Sequence, residues 1–191
     1  TMFDEAFGCT EGLGRQPYLE LLSWIEDQDF RKLCKQSIQA EELFRRIGIT
    51  FNVYGDSDGE ERIIPFDLFP RIISAHEWAR LERGIIQRVA AINAFLSDIY
   101  HRQEIVRSGI IPSDLINRND AFLPQMCGFT PPGNIYTHIV GVDIVRTGPD
   151  EFFVLEDNAR VPSGVSYMIE NRATMLQMFP ELFANHRIRT V

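Results

Sequence analysis

Cysteine is scarce here. Cys9, Cys34 and Cys127 are odd in number, far apart and never in a CxxC pair, which leaves neither a disulfide framework nor a zinc cluster and makes them packing residues. Histidine is equally thin: His76, His101, His138 and His186 show no metal-ligand spacing and read as structural. Net positive charge is missing too. The 191 residues carry 19 Lys+Arg against 27 Asp+Glu, a formal charge of −8, which repels nucleic-acid backbone and anionic lipid, and no basic patch overrides it. No apolar run approaches the ~18 residues that cross a bilayer, and the opening TMFDEAFGCTEGL lacks the basic-then-apolar order of a signal peptide. Repeats and low-complexity segments are absent. With nucleic acid and membrane set aside as partners, the expectation is a soluble, cytoplasmic folded domain, for which 45% hydrophobic residues suffice to build a core.

What is present reads as α+β, a mainly antiparallel sheet with packed helices. Residues 17–47 should be helical, because Phe30, Leu33, Cys34, Ile38, Leu43, Phe44 and Ile47 approximate one stripe and Gly48 stands where a C-terminal cap belongs. Ile49–Tyr54, the turn signal Gly-Asp-Ser-Asp-Gly and Arg62–Phe66 predict a hairpin. The longest helix should start at Ser74, which forms a capping box with Glu77. Trp78, Leu81, Ile85, Val89, Ile92, Leu96 and Ile99 then supply a core face, and Arg80, Glu82, Arg83, Arg88 and Asp98 a solvated one. Residues 109–135 read as an ordered loop. Strands follow at Tyr136–Arg146 and Glu151–Asp157, then a helix from about Ser163 to Phe179 after Pro162. Residues 1–48 thus form a helical lead-in to an α+β core over 49–191.

The stretch FFVLEDNARVPSG, Phe152 to Gly164, begins as a buried apolar strand and ends in acids and an amide. Strand side chains alternate, so Glu156 and Asn158 share a face while Asp157 points the other way. A turn over Gly148–Glu151 would bring Asp143 opposite Glu156 on that face. Three hard oxygen donors without His or Cys suit Mg²⁺, which keeps several waters and shares phosphate oxygens with a nucleotide. The same residues also suit a plain strand exit, with Glu156 in a salt bridge and Asp157-Asn158 in an Asx turn. After Arg160, the Pro162-Ser163-Gly164 helix start leaves backbone N–H groups free for an anion, or for a Ser163 cap.

GITFNVYGD, ERIIPFDLFPRII, EWARLERGIIQR, FLSDIYH, GVDIVR, LEDNARVPSGVSYMIENR and FPELF resemble the circularly permuted ATP-grasp proteins of type 2, in the branch similar to glutathionylspermidine synthetases. The likeness runs over nearly the whole chain from about residue 17. It implies an ATP-dependent ligase that joins a small-molecule carboxylate to an amine through an acyl phosphate. Carried over by motif, Asp143, Glu156 and Asn158 would hold Mg²⁺, and Ser163, Gly164 and Ser166 would contact acyl substrate or phosphate.

Two departures stand out. Related synthetases have an arginine two positions before the aspartate, where this chain has Gly141; Arg71, Arg146 and Arg160 are the candidates to replace it. Family members are more than twice this length, so the adenine pocket and phosphate-binding lysine are expected beyond Val191, and residues 49–191 would be the N-terminal portion of the ATP-grasp core. The chain begins with Thr rather than Met, which fits a piece of a longer protein acting with its own C-terminal remainder. A non-catalytic scaffold with the same fold, and a metal-dependent phosphohydrolase using the same carboxylates, are the competing functions.

Overall fold

The computed structural model of the chain describes residues 3–8, 14–51, 62–184 and 186–190. Two compact units share the chain: Thr1–Ser74 with Arg146–Glu151 and Ser163–Val191, and Ala75–Val145 with Phe152–Pro162.

The first unit is built on two helices, α1 (Leu19–Glu26) and α2 (Phe30–Ile47). Asp29 starts α2 by accepting from Arg31 N at 2.8 Å, satisfying one of the free N–H groups of the first turn. Gly48 ends it at φ 78, the left-handed geometry a glycine adopts without a Cβ penalty. Only Leu33, Ala40 and Phe44 of α2 are buried. The expected stripe is too wide: Phe30, Ile38 and Ile47 are 76%, 58% and 50% exposed, Ile38 because it points away from the 33–40–44 line and Phe30 and Ile47 because they stand at the two ends of the helix. Cys34 and Cys127 are exposed free thiols, against the packing role expected of them, and Cys9 lies outside the described residues.

Behind α2, Thr50–Phe51 (β1) pairs antiparallel with Arg62–Ile63 (β2), Thr50 opposite Ile63, which is the base of the expected hairpin; residues 52–61 fall outside the described set. Helices α6 (Ser163–Met178) and α7 (Glu181–Ala184) complete the unit. Met175 and Phe179 join Leu33, Ala40, Phe44, Ile49, Phe66 and Leu68 in one cluster. Phe44 meets Phe66 edge to face at 5.1 Å, and Trp24 meets Phe179 at 5.5 Å. Truncating a buried ring such as Phe44 costs about 3–5 kcal/mol.

The second unit hangs on α3 (Ala75–Ile99), which begins directly after Ser74 as the capping signal predicts. It is followed by the short helices α4 (Glu104–Arg107) and α5 (Ser113–Asn117). The core gathers at the C-terminal end of α3: Ile99, Tyr100 and Ile116 pack with Phe95, Leu96, Phe122, Met126 and Tyr136. Tyr100 stacks on Phe122 at 5.1 Å and on Tyr136 at 6.1 Å. Asp98 caps α4, its oxygens accepting from Glu104 N at 2.9 Å and Ile105 N at 3.0 Å. The region read as a loop, residues 109–135, therefore holds α5 and contributes Phe122 to the aromatic stack. Earlier in α3, Leu81 is buried and Ile85, Val89 and Ile92 are half-buried, while Trp78 at the start of the face is 37% exposed.

Strands β3 (Gly141–Gly148) and β4 (Glu151–Asn158) bond to each other in a two-stranded sheet. Only Pro149 and Asp150 link them, a connection that permits an antiparallel hairpin and no parallel pair. β3 starts at Gly141 instead of Tyr136, because the N–H groups of Tyr136 and Thr137 go to Asn93 Oδ1 at 2.7 and 3.1 Å and not to a strand. β4 is not the buried strand its composition implies: Phe153, Val154 and Leu155 are 59%, 38% and 72% exposed. Among the described residues no helix is long and apolar enough to cross a membrane.

Candidate functional site

The end of β4 carries opposite chemistry on its two faces. Glu156 and Asn158 project together, and Asn158 Nδ2 donates to Glu156 Oε1 at 3.0 Å. Asp157, on the reverse face, is gripped by α3: Arg88 Nε donates to Oδ1 and Oδ2 at 2.7 and 2.8 Å, and Arg88 Nη2 stands 2.6 Å from Oδ2. The hydrogen bond to Asp157 is the main reason that the Arg88 guanidinium holds its proton even more firmly than usual. Arg88 stays on the exposed face expected of it, 44% exposed, but carries an ion pair there, as Asp98 carries a cap. Thr137 Oγ1 donates to Ala159 O at 2.8 Å, fixing the exit of β4.

Gly141 sets the register. A Cβ at this position would fall 3.5 Å from Asn158 Cβ and 3.1 Å from Pro162 Cβ. Gly141 thus lies beside Asn158, and an unbroken antiparallel ladder from there would set Asp143 across from Glu156. The same contacts disfavour a side chain at position 141, because Pro162 would have to give by a few tenths of an ångström.

Asp143, Glu156 and Asn158 are all exposed. Asp143 makes no hydrogen bond or ion pair with the described residues, and the one bond of Glu156 comes from Asn158. Two carboxylates and an amide oxygen, uncommitted to any cation among the described residues, fit a hard divalent ion such as Mg²⁺. No cluster of three or more His, Cys, Asp or Glu able to hold a metal ion occurs among the described residues; this set has two carboxylates.

The three candidate arginines part company. Arg160 follows β4, is exposed, and bonds to none of the described residues. Arg71 and Arg146 belong to the first unit and meet on Glu5, Arg71 Nε 3.6 Å from Oε1 and Arg146 Nη1 3.1 Å from Oε2. Ser163, Gly164 and Ser166 open α6, all exposed. A Cβ on Gly164 would meet nothing within 4 Å, so the glycine is not required by crowding.

Sequence reasoning passes over Glu5, Arg15 and the Arg88 partnership. A charge on a helix face carries no mark of a partner 69 residues away. The structural reading holds for His101, whose ring nitrogens lie 2.9 Å from Ser97 O and 3.1 Å from Thr130 Oγ1.

Known proteins are similar to this chain over most or nearly all of its length. An uncharacterised protein of Mycobacterium tuberculosis strain H37Rv is 46% identical over 189 residues, 99% of this chain and 33% of that protein. An uncharacterised protein of Synechocystis is 42% identical, covering 99% of this chain and 39% of its own length. A Frankia alni protein named "Putative glutamate–cysteine ligase 2-3" is 43% identical over 146 residues, 75% of this chain and 16% of its own. The chain thus spans no more than about two fifths of these relatives. The family model of circularly permuted ATP-grasp type 2 matches residues 70–191, the hairpin and the start of α6 included, and the chain belongs to that family.

Proposed function

We propose that this chain is the N-terminal portion of an ATP-dependent carboxylate–amine ligase acting through an acyl phosphate, with Asp143, Glu156 and Asn158 as its Mg²⁺ ligands. The observation that carries the reading is the division of labour at the end of β4. Asp157 is tied down by Arg88, while Glu156 and Asn158 sit side by side on the opposite, open face. Apart from the Asn158–Glu156 hydrogen bond, this pair bonds to none of the described residues, which leaves its remaining oxygens available to a ligand.

In this reading Asp143 and Glu156 supply negative oxygens and Asn158 a neutral one, two charges against a dication. Bound there, Mg²⁺ would neutralise phosphate oxygens and hold them in line for transfer. Arg160, which bonds to none of the described residues, offers positive charge to a phosphoryl oxygen in place of the arginine missing at position 141. The free N–H groups at the start of α6, around Ser163, Gly164 and Ser166, suit an anionic substrate group. ATP, a small-molecule carboxylate and an amine would be the ligands, and the relatives' extra length would supply the nucleotide pocket as a C-terminal remainder of the same protein. Exposed Phe153, Val154 and Leu155 are consistent with a strand awaiting that cover. The Frankia relative's name supports a ligase that joins an amino acid's carboxylate to an amine.

The loss of arginine at 141 favours a second reading, a scaffold that kept the fold without turnover. Assaying a full-length protein for ADP release across panels of carboxylates and amines separates the two. Release that depends on both a carboxylate and an amine is expected, and none with any pair leaves the scaffold.

A further inference from the structure

Among the described residues, ionic contacts also gather around Glu5. Glu5 sits in a tight turn closed by Gly8 N to Asp4 O at 2.7 Å, with Asp4 Oδ1 accepting from Ala6 N and Phe7 N at 2.8 Å each. Its carboxylate receives arginines from three distant parts of the chain: Arg71 Nε at 3.6 Å from Oε1, and Arg15 and Arg146 Nη1 at 3.2 and 3.1 Å from Oε2. Bringing three cations to one point is unfavourable unless an anion sits between them.

The surroundings hold Arg146 independently of Glu5, whereas Arg15 Nη1 also donates to the Glu5 backbone O at 2.7 Å. The Arg146 side chain is 4% exposed, donates through Nε to Gly148 O at 3.0 Å and through Nη2 to Pro149 O, and lies over the Phe3 ring. Those two bonds to the hairpin turn leave Nη1 aimed at the anion position whichever group fills it. Tyr18 links the other two arginines, its hydroxyl accepting from Ile72 N at 2.9 Å and its ring 5.8 Å from Arg15 Cζ. Arg71 is 65% exposed, giving solvent access to the position. Guanidinium forks match carboxylate and phosphate oxygens alike.

We propose that Arg15, Arg71 and Arg146 form a binding site for a ligand's oxyanion, carboxylate or phosphate, which Glu5 fills in cis. The turn of residues 4–8 is then a displaceable strap, and Glu5 withdraws when a competing oxyanion enters. The site shares no residue with Asp143, Glu156 and Asn158, and its failure would leave the ligase reading standing.

Thermal unfolding of the 191-residue chain, of Glu5→Ala and of the double variant Glu5→Ala/Arg71→Ala tests this in chloride, acetate and phosphate at matched ionic strength. Emptying the site should let acetate or phosphate stabilise Glu5→Ala saturably, by roughly 3–6 °C at tenfold excess over Kd. The unmodified chain and the double variant should show only the general salt effect. A response to acetate marks a carboxylate ligand, and one confined to phosphate a phosphoryl ligand. Identical salt responses in Glu5→Ala and the unmodified chain overturn the proposal. If Glu5→Ala does not fold in chloride, cooperative unfolding regained in either oxyanion supports the site, and none regained in both refutes it.

Discussion

Arg88 and Asp157 meet across 69 residues of sequence, the guanidinium Nε within 2.8 Å of both carboxylate oxygens. The pair joins α3 to the end of β4 and divides that strand end into a structural face and an open one.

Replacing either acid of the Glu156-Asp157 pair should therefore have a different consequence. In a full-length protein, Glu156→Gln is expected to melt normally and to lose turnover by a factor on the order of 10², because phosphoryl transfer rests on positioning and charge neutralisation. Asp157→Asn should lower the melting temperature by a few degrees while sparing turnover per folded molecule. Fully active Glu156→Gln beside an inactive, normally melting Asp157→Asn would reverse the face assignment.

Glycine matters at 141 and not at 164. Gly141→Ala pushes a methyl group to 3.1 Å from Pro162 and should destabilise the chain by roughly 1–3 kcal/mol. Gly164→Ala places its methyl in open space at the start of α6 and should be neutral or stabilise by up to about 1 kcal/mol. Urea unfolding of both variants checks the contrast; a neutral Gly141→Ala would remove the steric account of the missing arginine.

Acid should weaken the cap on α4. Backbone hydrogen bonds from Ile105 and Glu104 hold the Asp98 carboxyl below its ordinary 3.8. Because the folded value is the lower one, the stabilisation is fully present above 3.8 and fades as pH falls through the folded value. Asp98→Asn should accordingly melt below the unmodified chain at neutral pH, with the gap closing under strongly acidic conditions. Melting curves followed from neutral to strongly acidic pH check it, and a constant gap would contradict the cap.

By itself the 191-residue chain should not turn over ATP, since an acidic strand end repels triphosphate without a cationic pocket opposite. Isothermal titration with Mg-ATP is expected to show at most weak binding. Micromolar affinity, or ADP release, would mean that the chain contains a nucleotide pocket of its own.

Local signals are legible in the sequence alone. The Gly48 cap, the start of α3 after Ser74, the two strands around Pro149-Asp150 and the α6 start after Pro162 each follow from backbone chemistry confined to a few neighbouring residues. Strand parity separates Asp157 from Glu156 and Asn158 on the same basis, because a period of two needs no tertiary partner. Burial and charge pairing are decided elsewhere. Phe153 and Leu155 look like core residues in composition, yet exposure depends on what packs over them, which a strand's own sequence does not specify. Arg88 on Asp157, and Arg15, Arg71 and Arg146 on Glu5, join positions up to 141 residues apart. Only chain folding brings such groups within the few ångströms over which an ion pair acts.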